Sequence, residues 1–102
     1  MKPHEEIATI VKTCAYVFRV PETSLVRKER GSLDVVIARQ VAMYICCLAT
    51  NIDRRLIGLA FGKRTEQTVG RAFANIPNRC RNCPEMKSKV RAVQEHLNVA
   101  SA

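Results

Sequence analysis

The sequence predicts an all-α domain of about six helices, and three observations carry that expectation. Apolar residues recur at three- and four-residue steps along most of the 102 residues. No alternating apolar–polar run is flanked by hairpin turn dipeptides. Helix-starting and helix-stopping residues punctuate the chain at the intervals that helices of ordinary length require. A chain this long builds one core without staples, so residues 1–102 are read as a single domain, with 1–4 and 99–102 expected to be flexible.

Ile7, Ile10, Val11, Cys14, Val17 and Phe18 form one stripe of a first helix. Pro3 suits its opening turn, and Glu5 and Glu6 sit favourably at the positive end of its dipole. Val20-Pro21 closes it, because the residue before proline avoids helical geometry. Thr23 is the expected cap of a short second helix reaching about Lys28, which Gly31 and Ser32 break. Ser32 then caps a third helix, Leu33 to Ala49, apolar nearly all round apart from Arg39-Gln40, the pattern of a buried axle. Asn51 is the expected cap of a fourth helix, Ile52 to Phe61, with Ile52, Leu56, Leu59 and Ala60 inward and Gly62 ending it. Thr65 caps a fifth, to about Cys80, with Val69, Ala72, Phe73 and Ile76 inward and a fray or kink expected at Pro77. Cys83-Pro84 starts a sixth, to about Leu97, on the stripe Met86, Val90, Val93 and Leu97.

Hydrophobic residues at 47% and charged residues at 25% argue against disorder. The formal charge of +8 argues for a polyanionic partner, nucleic acid or an anionic membrane surface. From Arg27 to Arg81 there are eleven basic residues, Arg39 among them, and four acidic ones, so seven of the eight excess charges lie there and predict one basic face. The amino terminus lacks the charged start and apolar core of a signal peptide, and the longest apolar run, Val41 to Ala49, is too short to span a bilayer. The expected place is the cytoplasm, on the nucleoid. Five cysteines, an odd number with Cys46 and Cys47 adjacent, read as reduced thiols, with Cys14, Cys46 and Cys47 filling the core.

The fourth and fifth helices, joined by Gly62-Lys63-Arg64, have the form of a helix-turn-helix. In that motif the second helix lies in the major groove and its first residues face base edges. Thr65, Glu66, Gln67 and Thr68 open it here, with Arg71 one turn on and Gly70 allowing close approach. Lys63 and Arg64 stand where flanking phosphates would be, and Arg54 and Arg55 add charge to the same region. The expected partner is double-stranded DNA.

At these residues the chain resembles the carboxy-terminal DNA-binding domain of the bacterial replication initiator DnaA, over about Ile7 to Leu97. Ala38-Arg39-Gln40-Val41-Ala42-Met43-Tyr44 resembles that family's central helix. Ile57-Gly58, Phe61-Gly62, Arg64, Thr68-Val69 and Pro84-Glu85 fall on its other fixed points. The resemblance implies a basic loop ahead of the third helix that contacts DNA, here Arg27-Lys28-Glu29-Arg30-Gly31, in which Gly31 takes the minor-groove arginine's position and Arg30 stands beside it. It also locates the departures. Where the family has Gly-Arg-Asp-His-Thr-Thr-Val, this chain has Lys63-Arg64-Thr65-Glu66-Gln67-Thr68-Val69, so any preferred sequence should differ from the family's. Gly58-Leu59-Ala60-Phe61-Gly62-Lys63-Arg64 is one residue short of a phosphate loop and lacks its hydroxyl, so no ATPase is read here. The chain reads as a stand-alone, diverged copy of the domain.

Cys80-Arg81-Asn82-Cys83 is a CxxC, and His96 is the one other ligand within plausible reach. Zinc takes four ligands and a second close pair is missing, so no metal or other cofactor is assigned. No nucleophile, base and orienting carboxylate assemble, His4 falling in the leader and His96 on a surface, so no enzymatic activity is expected. The expected function is DNA binding by a replication or transcription accessory factor. Two alternatives use the same charge: a module that has lost base reading and binds a replication or transcription protein, and binding to anionic lipid without insertion, through the basic first and last helices.

Overall fold

The computed structural model describes residues 2–98, which fold as α1 (Pro3–Phe18), α2 (Glu22–Val26), α3 (Leu33–Ala49), α4 (Arg54–Ala60), α5 (Glu66–Asn82) and α6 (Pro84–Leu97). The all-α expectation holds, with no strand among the described residues. Met1 and residues 99–102, part of the segments expected to be flexible, lie outside the description. Pro3 and His4 do not belong to a loose leader: they form the first turn of α1, where proline costs no hydrogen bond.

α3 is the axle. Ala38, Val41, Ala42, Ile45 and Cys46 have no exposed surface, and α1, α2, α4 and α5 all pack on this helix, most extensively α5 and α1. α6 closes the remaining side against α1 and α5 through Met86, Val90 and Val93. Ser32 caps α3 as expected, its hydroxyl accepting from the Val35 amide. α1 ends one step earlier than the Val20-Pro21 stop, because Arg19 takes a left-handed conformation and returns its amide to the Ala15 carbonyl.

Several expectations are corrected by packing. α2 begins at Glu22 with Pro21 as its cap position, so Thr23 lies inside the first turn and caps nothing. The cap of α4 is Asp53, whose carboxylate accepts from the Arg55 amide at 3.0 Å, and not Asn51. Starting the helix there rotates its inner face. Ile57 and Phe61, one helical turn apart, are fully buried, while Leu56 and Leu59 are 47% and 52% exposed. The expected stripe Ile52–Leu56–Leu59–Ala60 is thus largely an outer one, with Leu56 and Ala60 on an open apolar groove shared with Ile7, Val11 and Val26. α5 continues past Pro77 to Asn82, two residues beyond the expected end.

Candidate nucleic-acid interface

The turn between α4 and α5 is built from backbone constraints that the sequence spells out. Gly62 and Lys63 are both left-handed (φ 77° and 61°), a conformation glycine adopts without a Cβ penalty. The chain then doubles back over α4, where the Arg64 amide donates to the Gly58 carbonyl at 2.8 Å. A side chain on Gly58 would collide with the Arg64 carbonyl, so this glycine sets how closely the turn sits on the helix. Thr65 caps α5, its hydroxyl accepting from the Thr68 amide at 3.2 Å and sharing a hydrogen bond with the Thr68 hydroxyl.

That cap narrows the polar set expected at base edges. Thr65 and Thr68 are occupied with each other, and Thr68 is half-buried. Glu66, Gln67 and Arg71 are exposed, opposite the buried Val69, Ala72 and Ile76. The same outer face carries Ala74 and Asn75 one turn further on. Asn75 escaped the sequence reading, although its four-residue step from Arg71 was the signal that could have found it. Gly70 leaves room for a protein group: a Cβ there would sit 3.3 Å from a terminal nitrogen of Arg54. The Arg54 guanidinium crosses over Phe73, 5.2 Å from the ring centre, and so ties α4 to α5. Arg55 and Lys63 are exposed.

The basic loop stands directly against this turn. Arg27, Lys28, Glu29 and Arg30 are exposed, and a Cβ on Gly62 would strike the Arg27 carbonyl. Two guanidinium groups hold the loop there. Arg64 donates to the carbonyls of Arg27 (2.9 Å) and Phe61 (2.5 Å), and at longer range to those of Lys28 and Glu29 (3.3 and 3.4 Å). Arg39 reaches the same segment from α3, donating to the carbonyls of Ser24 (2.7 Å), Leu25 (3.0 Å), Arg30 (2.9 Å) and Glu29 (3.1 Å).

These contacts revise the roles of both arginines. Arg39, included above in the basic face, is 3% exposed and contributes no surface charge. Burial first, then the nearby Arg64 and Arg30 charges, press its guanidinium below its ordinary value. Four carbonyl dipoles, with no carboxylate among its hydrogen-bond partners, satisfy it. Arg64, expected at a phosphate, has both terminal nitrogens committed to carbonyls; burial lowers its pKa, partly offset by Glu29. Among the described residues its Nε has no carbonyl partner. Its place in the structure is that of a strut between the turn and the loop.

The amino-acid sequence matches, over residues 7–76, the family described as bacterial dnaA protein helix-turn-helix. The chain belongs to that family. It is 36% identical over 91 residues to the chromosomal replication initiator protein DnaA 2 of Chlamydia pneumoniae, covering 89% of this chain and 20% of that protein. It is 30% identical over 97 residues to the initiator DnaA 1 of Protochlamydia amoebophila, covering 93% of this chain and 21% of that one. With DnaA of Oenococcus oeni the identity is 43% over 60 residues, 59% of this chain and 13% of the relative. The chain spans about a fifth of the length of the first two relatives.

Within the dnaA helix-turn-helix frame, the remaining candidate positions are scattered. Cys80 is half-buried and Cys83 exposed, and burial, with the neighbouring Cys83, pushes the Cys80 thiol up. His96 directs Nδ1 at the Ala92 carbonyl, and its ring lies tilted against Tyr16 at 5.8 Å between centroids, on the side of α6 that meets α1. Among the described residues no three potential ligands converge on a metal-sized site, and no helix is long and apolar enough to cross a membrane.

Proposed function

We propose that the chain binds double-stranded DNA with the amino-terminal half of α5 in the major groove and the Arg27–Arg30 loop on the adjoining backbone. The observation that carries this reading is the locking of that loop to the α4–α5 turn by Arg64 and Arg39, which presents two DNA-facing elements as one preformed surface. Preformed geometry lowers the ordering cost of binding. Arg27, Lys28, Arg30, Arg55 and Lys63 supply phosphate contacts; Arg54 and Arg64 act by positioning. Gln67, Arg71 and Asn75 share an outward face and supply base contacts, with Glu66 accepting from a cytosine amino group where one is offered. Thr65 and Thr68 shape the start of the helix. The relatives are named as chromosomal replication initiators, which supports a replication accessory function; in this reading the chain acts without catalysis and in the nucleoid.

Selection from a random duplex library at physiological salt tests the reading. A sharp enriched motif is expected, and Gln67→Ala should cost about 1–3 kcal/mol on that motif and almost nothing on random duplex. Affinity remaining at about 10⁻⁴–10⁻⁶ M for every duplex, with no enrichment, would overturn base reading and favour a protein partner on the same basic surface.

A further inference from the structure

At the other end of α5, far from the proposed DNA-facing turn, α3, α5 and α6 enclose a cleft of about 280 Å³. Arg81 lies fifteen positions beyond Glu66, about 22 Å along a helix rising ~1.5 Å per residue. Three cations, Arg81, Lys87 and Arg91, line the cleft, and among the described residues no carboxylate does. None of the three forms an ion pair with a described residue; Arg81 also donates to Asn78 Oδ1.

Two further polar side chains line the cleft from its walls. Tyr44, on α3, and Gln94, on α6, are each only 6% exposed. Neither the phenol hydroxyl nor the carboxamide hydrogen-bonds to a described residue, yet among the described residues no fully enclosed polar side-chain atom lacks a partner. Both polar ends therefore keep some accessible surface, on residues that line the cleft together with Pro77 and Val90. A carboxamide on the cleft wall without a protein partner has its donor and acceptor free for a ligand. Burial pushes the Tyr44 phenol up, with Cys80 adding to the effect, so it stays protonated and able to donate.

We propose that this cleft is a binding site for a phosphoryl anion, held by Arg81, Lys87 and Arg91 and oriented by the Gln94 carboxamide and the Tyr44 hydroxyl. The chemistry fits: a phosphoryl group offers several acceptor oxygens, and the cleft offers donors with no competing carboxylate among the described residues. The volume lies just below the range of pockets for drug-sized ligands, so it suits a phosphate or phosphomonoester headgroup better than a whole nucleotide. The site is independent of the duplex-binding reading, since it lies at the opposite end of α5.

The test is a titration of the isotope-labelled full chain with inorganic phosphate at fixed ionic strength, with chloride as the reference anion, read by the Gln94 side-chain amide and the Lys87 and Arg91 backbone amides. Saturable shifts confined to these groups are expected with phosphate and not with chloride. Arg91→Gln and Gln94→Glu should each weaken binding about tenfold, the second by placing a carboxylate in the cleft. Tyr44→Phe, which removes one hydroxyl, should weaken it less, and Lys63→Gln should leave it unchanged. Melting curves of each variant separate lost binding from lost folding. Vesicles containing phosphatidic acid, compared with phosphatidylcholine alone, distinguish a lipid headgroup from a free phosphate, and competition by either supports the site. Equal shifts with chloride, no saturation, or displacement of phosphate by a random duplex would overturn it.

Discussion

Replacing Arg64 by alanine separates a strut from a phosphate contact. The side chain makes two short charge-assisted bonds, to the Arg27 and Phe61 carbonyls at 2.9 and 2.5 Å, and two longer ones that contribute little. Bonds of this kind are each worth about 1.5–3 kcal/mol, and the partly exposed setting favours the lower end. The expected loss is about 2–4 kcal/mol. For a domain of this size each kcal/mol shifts Tm by about 4–8 °C, so a fall of at least about 8 °C should appear in thermal unfolding. Amide exchange should accelerate over residues 27–30, where the loop loses its tie to the turn, and duplex affinity should fall because the two elements proposed to face DNA are no longer held together. Lys63→Ala provides the contrast: unchanged Tm, and a salt dependence flatter by about 0.9 in log–log slope. An Arg64→Ala protein with wild-type Tm and loop exchange, but with the flattened salt slope, would refute the strut and return Arg64 to the phosphates.

Three other outcomes check different parts of the structure. Ile57→Ala should cost about 2–5 kcal/mol in denaturant unfolding, whereas Leu56→Ala should stay within about 1 kcal/mol; the reverse order would restore the face read from the sequence. Gly58→Ala forces a methyl group against the Arg64 carbonyl, so it should destabilise by at least about 1–3 kcal/mol and lower duplex affinity, and a neutral result would mean that the turn does not sit on α4 as described. The third concerns pH. Burial pushes the Cys14 thiol from about 9 up to about 12, and raises Cys46 in the same direction. A raised folded pKa means stability that is complete below about pH 9 and falls as pH climbs towards 12, by about 1.4 kcal/mol per pH unit per thiol. Urea unfolding between pH 8 and 11 should show this slope, reduced in Cys14→Ala; an unchanged slope in that variant would remove Cys14 as its source.

Much of the architecture was legible in residue patterns. The α3 axle, the Ser32 and Thr65 caps, the inward stripes of α1, α5 and α6, and the glycine turn at Gly62 are consequences of local chemistry over one or two helical turns. The α4 face was misread because a seven-residue helix with four apolar side chains offers two plausible stripes, and only the Asp53 cap and the surrounding packing choose between them. The candidate site was legible in outline, as a helix-turn-helix with a basic loop upstream, but the division of labour among its arginines was not.

By itself, the sequence determined that this chain is helical, that it carries a helix-turn-helix, and that its charge suits a polyanion. Periodicity, capping and net charge are properties of neighbouring residues and need no tertiary information. Only the tertiary structure decided that Arg39 is internal, that Arg64 and Arg39 grip one loop from two sides, and that Tyr44 and Gln94 line a cationic cleft. These facts join residues as far as 50 positions apart, Tyr44 and Gln94, or 37 apart, Arg27 and Arg64. A guanidinium reads alike in sequence whether it meets a phosphate or a carbonyl. What fixes its role is the desolvation and the acceptors that folding places around it.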